Sequence, residues 1–564
     1  MESFLNSRTV FRRAASALSC GLCLSHGAVY AVDPPDAGAV HRLEREQLER
    51  LLQERRLLQQ PVQPEISVPS APAPSEASRV RNIPVKSFEL NESAILSAGE
   101  IRAVLAPYEG KTLSLADLFE AVAGLNKLYA DKNMPTARAL LPPQEIRDGV
   151  VKIRLVEARV GAIKVGQVSQ VSPEFIQQRL TLVSGELMSV SRLESDLQRF
   201  NRLHEVQLRA SVQPGLKTGE TDIQLEAAEP KRYQYSLFAD NAGRYTVGEE
   251  RVGLTARVAG LTGRGDSLMF TGTLAEGADS YALAYALPLN PDDLKLDIAY
   301  SQGGIKVVDG GFVPLDVSGT SSDFSVGLSQ PVLVDAQRLW SLYGRMAVKE
   351  SVSKFGGAEQ LNMDLTVLTA GASGEYQSDS SSWNLDVNLN QGLRGLGSES
   401  SFTALRANAA WLKRLNLRAQ SILRGGLQIS PTSLIPASEQ FQLGGGSSVR
   451  GYSEGLLSGR NGYLISGELR YALQNPEDYL TRSPNTPLLT GFVFLDHGGA
   501  FPYRPRPLKD ATGDDYLTGA GVGLLVDWKS RVSGRLAVGW PLRQNAAEAV
   551  EREPRLHAFV SISF

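Results

Sequence analysis

From Lys231 to Phe564 apolar and polar residues alternate in segments of about ten residues, divided by Gly, Asp, Asn and Ser. Tyr281, Leu283, Tyr285 and Leu287 alternate with alanines. Trp383, Leu385, Val387 and Leu389 oppose Asn384, Asp386, Asn388 and Asn390. Tyr463, Ile465 and Leu469 oppose Ser466, Glu468 and Arg470. A period of two places one set on each face of a strand. Sixteen such segments can be marked, an even number, as an antiparallel closed barrel requires. A soluble sandwich would alternate too, with its apolar face inward. Strand lengths near 9–11 residues and aromatic residues at segment ends favour a transmembrane β-barrel instead. The final segment, Arg555 to Phe564, puts Leu556, Ala558, Val560, Ile562 and Phe564 on one face and ends on an aromatic. Sixteen strands leave room for an aqueous lumen. Arg418, Gln420, Arg424, Glu468 and Arg470 are expected to line it.

Upstream the grammar differs. Residues 83–158 and 159–229 each read as a small β-α-α-β-β unit, so the chain is expected to carry two tandem α+β modules before a barrel of residues 230–564. In the first, strands are expected at Val85–Leu90, Ala137–Leu141 and Val150–Glu157, and helices at Ser97–Leu105 and Ser114–Ala130. In the second, strands are expected at Ala162–Gln167, Val206–Gln213 and Thr221–Ala227, and helices at Pro173–Leu182 and Ser191–Leu203. Residues 61–82 form a Pro/Ser/Ala-rich linker, extended and semi-rigid. Before it, Ala39 to Gln60 is dense in helix formers, with Arg and Glu over most of the circumference. So polar a helix does not suit an apolar core. It fits a solvated helix or coiled-coil arm, or a helix lying in a wet lumen.

Composition narrows the class. In 564 residues, 42% hydrophobic, no run approaches the ~18 apolar residues of a spanning helix. A net charge of −3 argues against a nucleic-acid partner. Arg8, Arg12 and Arg13 precede a weakly apolar stretch ending at Ala31, the pattern of a secretory signal peptide over residues 1–31. Cys20 and Cys23 both fall within it, so the mature chain is expected to lack disulfides and thiolate metal sites.

Two motifs carry chemistry. Gly444 to Tyr452 reads GGGSSVRGY, with Arg450 flanked by Gly446 and Gly451, which allow a tight turn close to a wall. Phe494-Leu495-Asp496-His497-Gly498 follows one strand later, with Phe494, Asp496 and Gly498 on one face. In a lumen, a guanidinium and a carboxylate can form a bidentate contact. On the residues alone, an external loop with a solvated Arg450 is equally open.

Val449-Arg450-Gly451-Tyr452 resembles the VRGY/F motif of two-partner secretion transporters (TpsB; the ShlB/FhaC/HecB family of the POTRA-barrel superfamily), and the second motif resembles that superfamily's F-x-D-x-G. The order of modules is similar over essentially the whole mature chain. The resemblance implies two periplasmic POTRA domains, a plug helix within residues 32–60, and a loop folded into the lumen so that Arg450 meets Asp496. It further implies a Gram-negative outer-membrane location, insertion into lipid by the barrel assembly machinery, and Phe564 as a C-terminal barrel signal. The implied partner is a large secreted TpsA-like exoprotein, bound unfolded through its secretion domain and passed through the barrel. An assembly factor of the same superfamily and a porin-like channel are the alternatives. No enzyme motif emerges, and no cofactor is expected. Gly446 to Gly451 has phosphate-loop spacing but Tyr452 where Lys is needed, and Gly260 to Gly265 is a turn. The five His residues show no metal-ligand spacing, and His497 beside Asp496 lacks a nucleophile.

Overall fold

Sixteen antiparallel strands among the described residues close on themselves, the first, Tyr233–Asp240, pairing with both the second, Arg251–Ala259, and the last, Arg555–Ser563. The computed structural model describes residues 36–58, 65–67, 83–132, 134, 136–217, 219–395, 398, 400–474, 487–504, 512–529, 531–545 and 553–564. The expected signal peptide with both cysteines, and most of the 61–82 linker, lie outside these residues.

Closure satisfies every ladder without an edge, the condition for strands in lipid. The apolar positions of the alternating segments face outward: Leu389, Trp411, Ile465 and Leu495 are exposed on the barrel exterior. Trp340, Tyr376 and Trp383 pack edge and face on adjacent strands near the periplasmic turns. The polar alternates point inward, Glu468 and Arg470 among them. Arg418 does not: it lies exposed in the turn between Thr403–Arg414 and Ala419–Ile429, just before the inward alternation starts. Phe564 is also exposed, its N–H bonded to the Tyr235 carbonyl (2.9 Å).

The two upstream units have separate cores. In the first, strands Ser87–Leu90, Val150–Val156 and Arg138–Leu140 form a sheet backed by helices Ala98–Leu105 and Leu115–Asp131. Ser97 with Glu100, and Ser114 with Asp117, close reciprocal capping boxes that start both helices. The expected strand Val85–Leu90 is split in two, Ile83–Val85 pairing instead with Lys111–Leu113. In the second unit, Arg159–Val165, Gln207–Pro214 and Glu220–Ala228 pack on helix Val190–Leu203. Helix Pro173–Gln177 is shorter than the sequence suggests, because the chain tightens into i→i−3 bonds at Arg179 and Leu180. The linker supplies a fourth strand: Ile66–Ser67 pairs in parallel with Ala210–Ser211 at the sheet edge.

That tightened turn docks the second unit on the barrel. Arg179 stacks on Phe175, bonds the Asp293 carboxylate (2.7 Å) and donates to the Asn290 carbonyl (2.7 Å) in the turn between the fourth and fifth strands. His204 reaches Asp293 at 3.1 Å. Burial works to raise the Asp293 carboxyl, but His204 and Arg179 outweigh it and hold it below its ordinary value. A depressed carboxylate stabilises fully above its unfolded value near 3.8, and the contribution is lost as pH falls through the lower folded value. Docking is therefore expected to hold at neutral pH and to loosen only in strong acid. Arg179→Ala leaves Asp293 buried with less compensation, a loss of about 3–5 kcal/mol for such a pair. It is expected to broaden spin-label distances between the second unit and the barrel. A distribution as narrow as wild type would show that the other barrel turns suffice.

Candidate functional site: a loop and a helix locked in the barrel lumen

Between the eleventh strand, Ala419–Ile429, and the twelfth, Asn461–Ala472, the chain turns inward as a hairpin, Phe441–Leu443 pairing with Leu457–Gly459. Gly444 and Gly445, at φ +115° and +99°, make the turn rather than Gly446, whose N–H instead donates to Glu454 (2.6 Å). Val449 and Tyr452 pack with Leu443, Leu464 and Leu517 against the inner wall. The Tyr452 hydroxyl lies between the carbonyls of Thr518 (2.9 Å) and Arg543 (2.6 Å). Gly451, at φ +97°, passes so close to the fifteenth strand, Val532–Pro541, that a Cβ would sit 2.9 Å from the Trp540 carbonyl carbon. Its N–H donates to His557 Nε2 (3.0 Å) on the last strand.

These contacts deliver Arg450 to the thirteenth strand, Leu488–Phe501. Its Nε and Nη2 donate to the two oxygens of Asp496 at 2.7 and 2.8 Å, and its backbone N–H adds a third bond at 3.1 Å. The guanidinium lies 3.6 Å from the centroid of the Phe494 ring. Gly498, on the same face, leaves room for Leu443, which would lie 2.9 Å from an added Cβ. Arg450 and Asp496 are 3% and 0% exposed. His497 faces the other way, between Tyr463 (2.9 Å) and Thr518 (2.9 Å) on the barrel exterior.

A second carboxylate at this site was not singled out as a partner from sequence. Glu468 accepts from Arg450 Nη1 (2.9 Å), Arg470 Nε (2.6 Å) and Arg535 Nη2 (2.7 Å). Ser466, two residues away on the same face, donates to Asp496 (2.7 Å). The i, i+2, i+4 run of Ser466, Glu468 and Arg470 signals an inward polar face; the partners of Glu468 lie up to 67 residues away and carry no local signal.

The polar N-terminal helix, Ala37–Leu58, occupies the same lumen. Asp36 caps it through the Ala39 N–H (2.9 Å). Along its length Glu44 accepts from Ser280 (2.8 Å), Arg45 bonds Asp323 (2.7 Å), and Arg50 donates to the Ser447 carbonyl of the inward loop (2.7 Å). Gln47 bonds Glu454 (3.1 Å), and Glu54 meets Arg424 (2.8 Å), Arg470 and Arg535 (3.4 Å). Its charge is explained by a polar wall, not by bulk water. Beside the helix lies a chamber of about 1660 Å³, reaching from Arg42 and Gln428 to His204 of the second unit. Among the described residues no group of three His, Cys, Asp or Glu could hold a metal ion.

Comparison with known proteins agrees with this architecture. Residues 219–526 match the family of haemolysin secretion/activation proteins ShlB/FhaC/HecB, and residues 83–158 match the ShlB-type POTRA domain. The chain is 25% identical to the heme/hemopexin transporter protein HuxB of Haemophilus influenzae, across 95% of this chain and 96% of that one. It is 21% identical to the outer membrane transporter CdiB of Dickeya dadantii, across 91% and 92%. In structure it resembles CdiB from Escherichia coli, with a TM-score of 0.67 at 19% identity, covering 95% of this chain and all of that one. With the family model covering more than half of the chain and a closed sixteen-stranded barrel behind it, the chain belongs to the ShlB/FhaC/HecB family of two-partner secretion transporters in the Gram-negative outer membrane, with its POTRA domains in the periplasm.

Proposed function

We propose that this chain exports one large TpsA-like exoprotein, capturing its unfolded secretion domain at the POTRA domains and threading it through the barrel to the cell surface. The observation that carries this reading is the stopper: a lumen filled by a helix held mainly through polar contacts, which can be exchanged for water or another chain, with one small apolar cluster of Ala37 and Val40 against Val247 and Ile305 at its N-terminal end. Among the described residues, the 83–158 domain leaves its sheet edges at Ser87–Leu90 and Arg138–Leu140 without a further strand, with Leu140 47% exposed. Strand addition at such edges is a main-chain affair that suits an unfolded client. In the second domain one edge is already taken by Ile66–Ser67. The relatives include hemopexin and hemolysin transporters, so the client falls among large secreted proteins of that kind.

In this scheme the protein transports and does not catalyse. Arg450, Gly451, Tyr452 and Asp496 hold a loop in place, the barrel assembly machinery inserts the strands, and client folding outside supplies the drive. Co-expression with the product of an adjacent gene for a very large, repeat-rich exported protein is expected to release that protein into the medium. Retention of the client in the periplasm despite a correctly inserted barrel would overturn the assignment. A general loss of other outer-membrane proteins on deletion of the gene would point to an assembly factor instead.

A further inference from the structure

Glu54 sits in a site built for a carboxylate. Arg424 on the eleventh strand, Arg470 on the twelfth and Arg535 on the fifteenth each turn one edge of their guanidinium to Glu468 of the wall. Each turns a second nitrogen to Glu54 of the helix. Glu468 is 3% exposed and belongs to the barrel, so it holds the three forks in register whether or not the helix is present. Glu54 belongs to the helix, which among the described residues is the element in the lumen that is not part of the barrel wall or its loops. With the helix in place, four guanidiniums among the described residues, counting Arg450, face Glu54, Glu468 and Asp496. Withdrawal of the helix leaves the four facing two carboxylates, with three donor edges aimed into the lumen. A carboxylate placed there accepts one charge-assisted bond from each of three guanidiniums, whose other nitrogens are held by Glu468. Arg424 and Arg535 side chains are each 22% exposed, and Gln53, next to Glu54, lines the chamber.

We propose that Arg424, Arg470 and Arg535 form a docking site for acidic side chains of the polypeptide in transit, with Glu54 as its resident occupant while the channel is closed. The inference rests on the export reading and on the helix leaving the lumen. A client carboxylate replaces Glu54 with identical chemistry, so the cationic wall need not be left uncompensated when the helix departs. Contact through side-chain charge alone, without an apolar pocket, grips briefly and lets the chain move on. Because Glu468 also binds Arg450, filling or emptying this site acts on the carboxylate that helps hold the loop.

The test uses the full chain and a variant lacking residues 37–60, both purified in detergent micelles, with a fluorescent deca-glutamate peptide as the probe. The shortened protein is expected to bind the peptide at least tenfold more tightly than the full chain. Arg535→Gln in the shortened background is expected to weaken binding by at least tenfold, and Arg424→Gln likewise. Binding should fade with added salt. Deca-glutamine, and acetate at equal carboxylate concentration, should not compete; displacement by acetate would assign the site to small anions and overturn the proposal. Equal affinity of the full and shortened proteins, or no effect of either arginine substitution in barrels that remain heat-modifiable on gels, would also overturn it. Conductance of the same preparations separates the two readings. A rise on deletion without peptide binding sinks only the docking site, whereas binding without a rise sinks only the plug.

Discussion

Arg450→Ala is expected to cut release of the exoprotein by at least about tenfold while the barrel still inserts and stays heat-modifiable. The loss falls mainly on Asp496. Without the Arg450 side chain, Glu468 keeps Arg470 and Arg535, but Asp496 keeps only the Ser466 hydroxyl and the backbone N–H of residue 450, with no cation beside it at 0% exposure. Removing one partner of a buried pair costs about 3–5 kcal/mol, because the other charge is left uncompensated. That is a factor of about 10² to 4 × 10³ in the equilibrium between docked and undocked loop. Arg450→Lys keeps the charge but loses the two-pronged contact with Asp496 and the stack on Phe494, so it should rescue only in part. Asp496→Asn should fail similarly, and the double variant should be no worse than either single one, as for two residues acting as a unit. Measured release of the co-expressed client decides the matter. Wild-type release from Arg450→Ala would remove any working role for the pair.

Much of this architecture was legible in the sequence because the barrel writes a period of two along its strands. The face of each residue follows from its parity, which is why Asp496, Phe494 and Gly498 could be placed together before their neighbours were known. Arg418 broke the rule, since parity holds only within a strand and the turn had already begun. The pairing of Arg450 with Asp496 was legible only through a family resemblance. Charge and spacing alone do not distinguish a loop folded inward from one left in solvent, and the anchors that fold it in, His557 and the Tyr452 contacts, lie 66 to 106 residues away. On the residues alone the place of the polar helix stayed open between solvent and lumen, and only the resemblance implied a plug, because Glu54 and Arg470 are 416 positions apart. The short strand Ile66–Ser67 was lost in a Pro-rich stretch, where Glu65-Ile66-Ser67-Val68 is too brief to show a period.

Deleting residues 37–60 is expected to raise single-channel conductance in planar bilayers by at least about twofold, since an α-helix with its side chains is about 10–12 Å across and fills a comparable section of the lumen. Secretion should persist, because no strand pairing among the described residues depends on the helix. Its contacts are mostly side-chain bonds to the wall and loop, such as Arg45 to Asp323, Arg50 to the Ser447 carbonyl and Gln47 to Glu454, with a small apolar cluster of Ala37 and Val40 against Val247 and Ile305. The channel left behind should still be narrow, because the hairpin of Phe441–Leu443 and Leu457–Gly459 remains pinned by Arg450 and Tyr452. Combining the deletion with Arg450→Ala should therefore open the pore further than the deletion alone, and with larger current fluctuations as the hairpin moves. Unchanged conductance on deletion would show that the helix does not gate the lumen. A deletion that opened the pore as far as the combined variant would show that the loop contributes no barrier of its own.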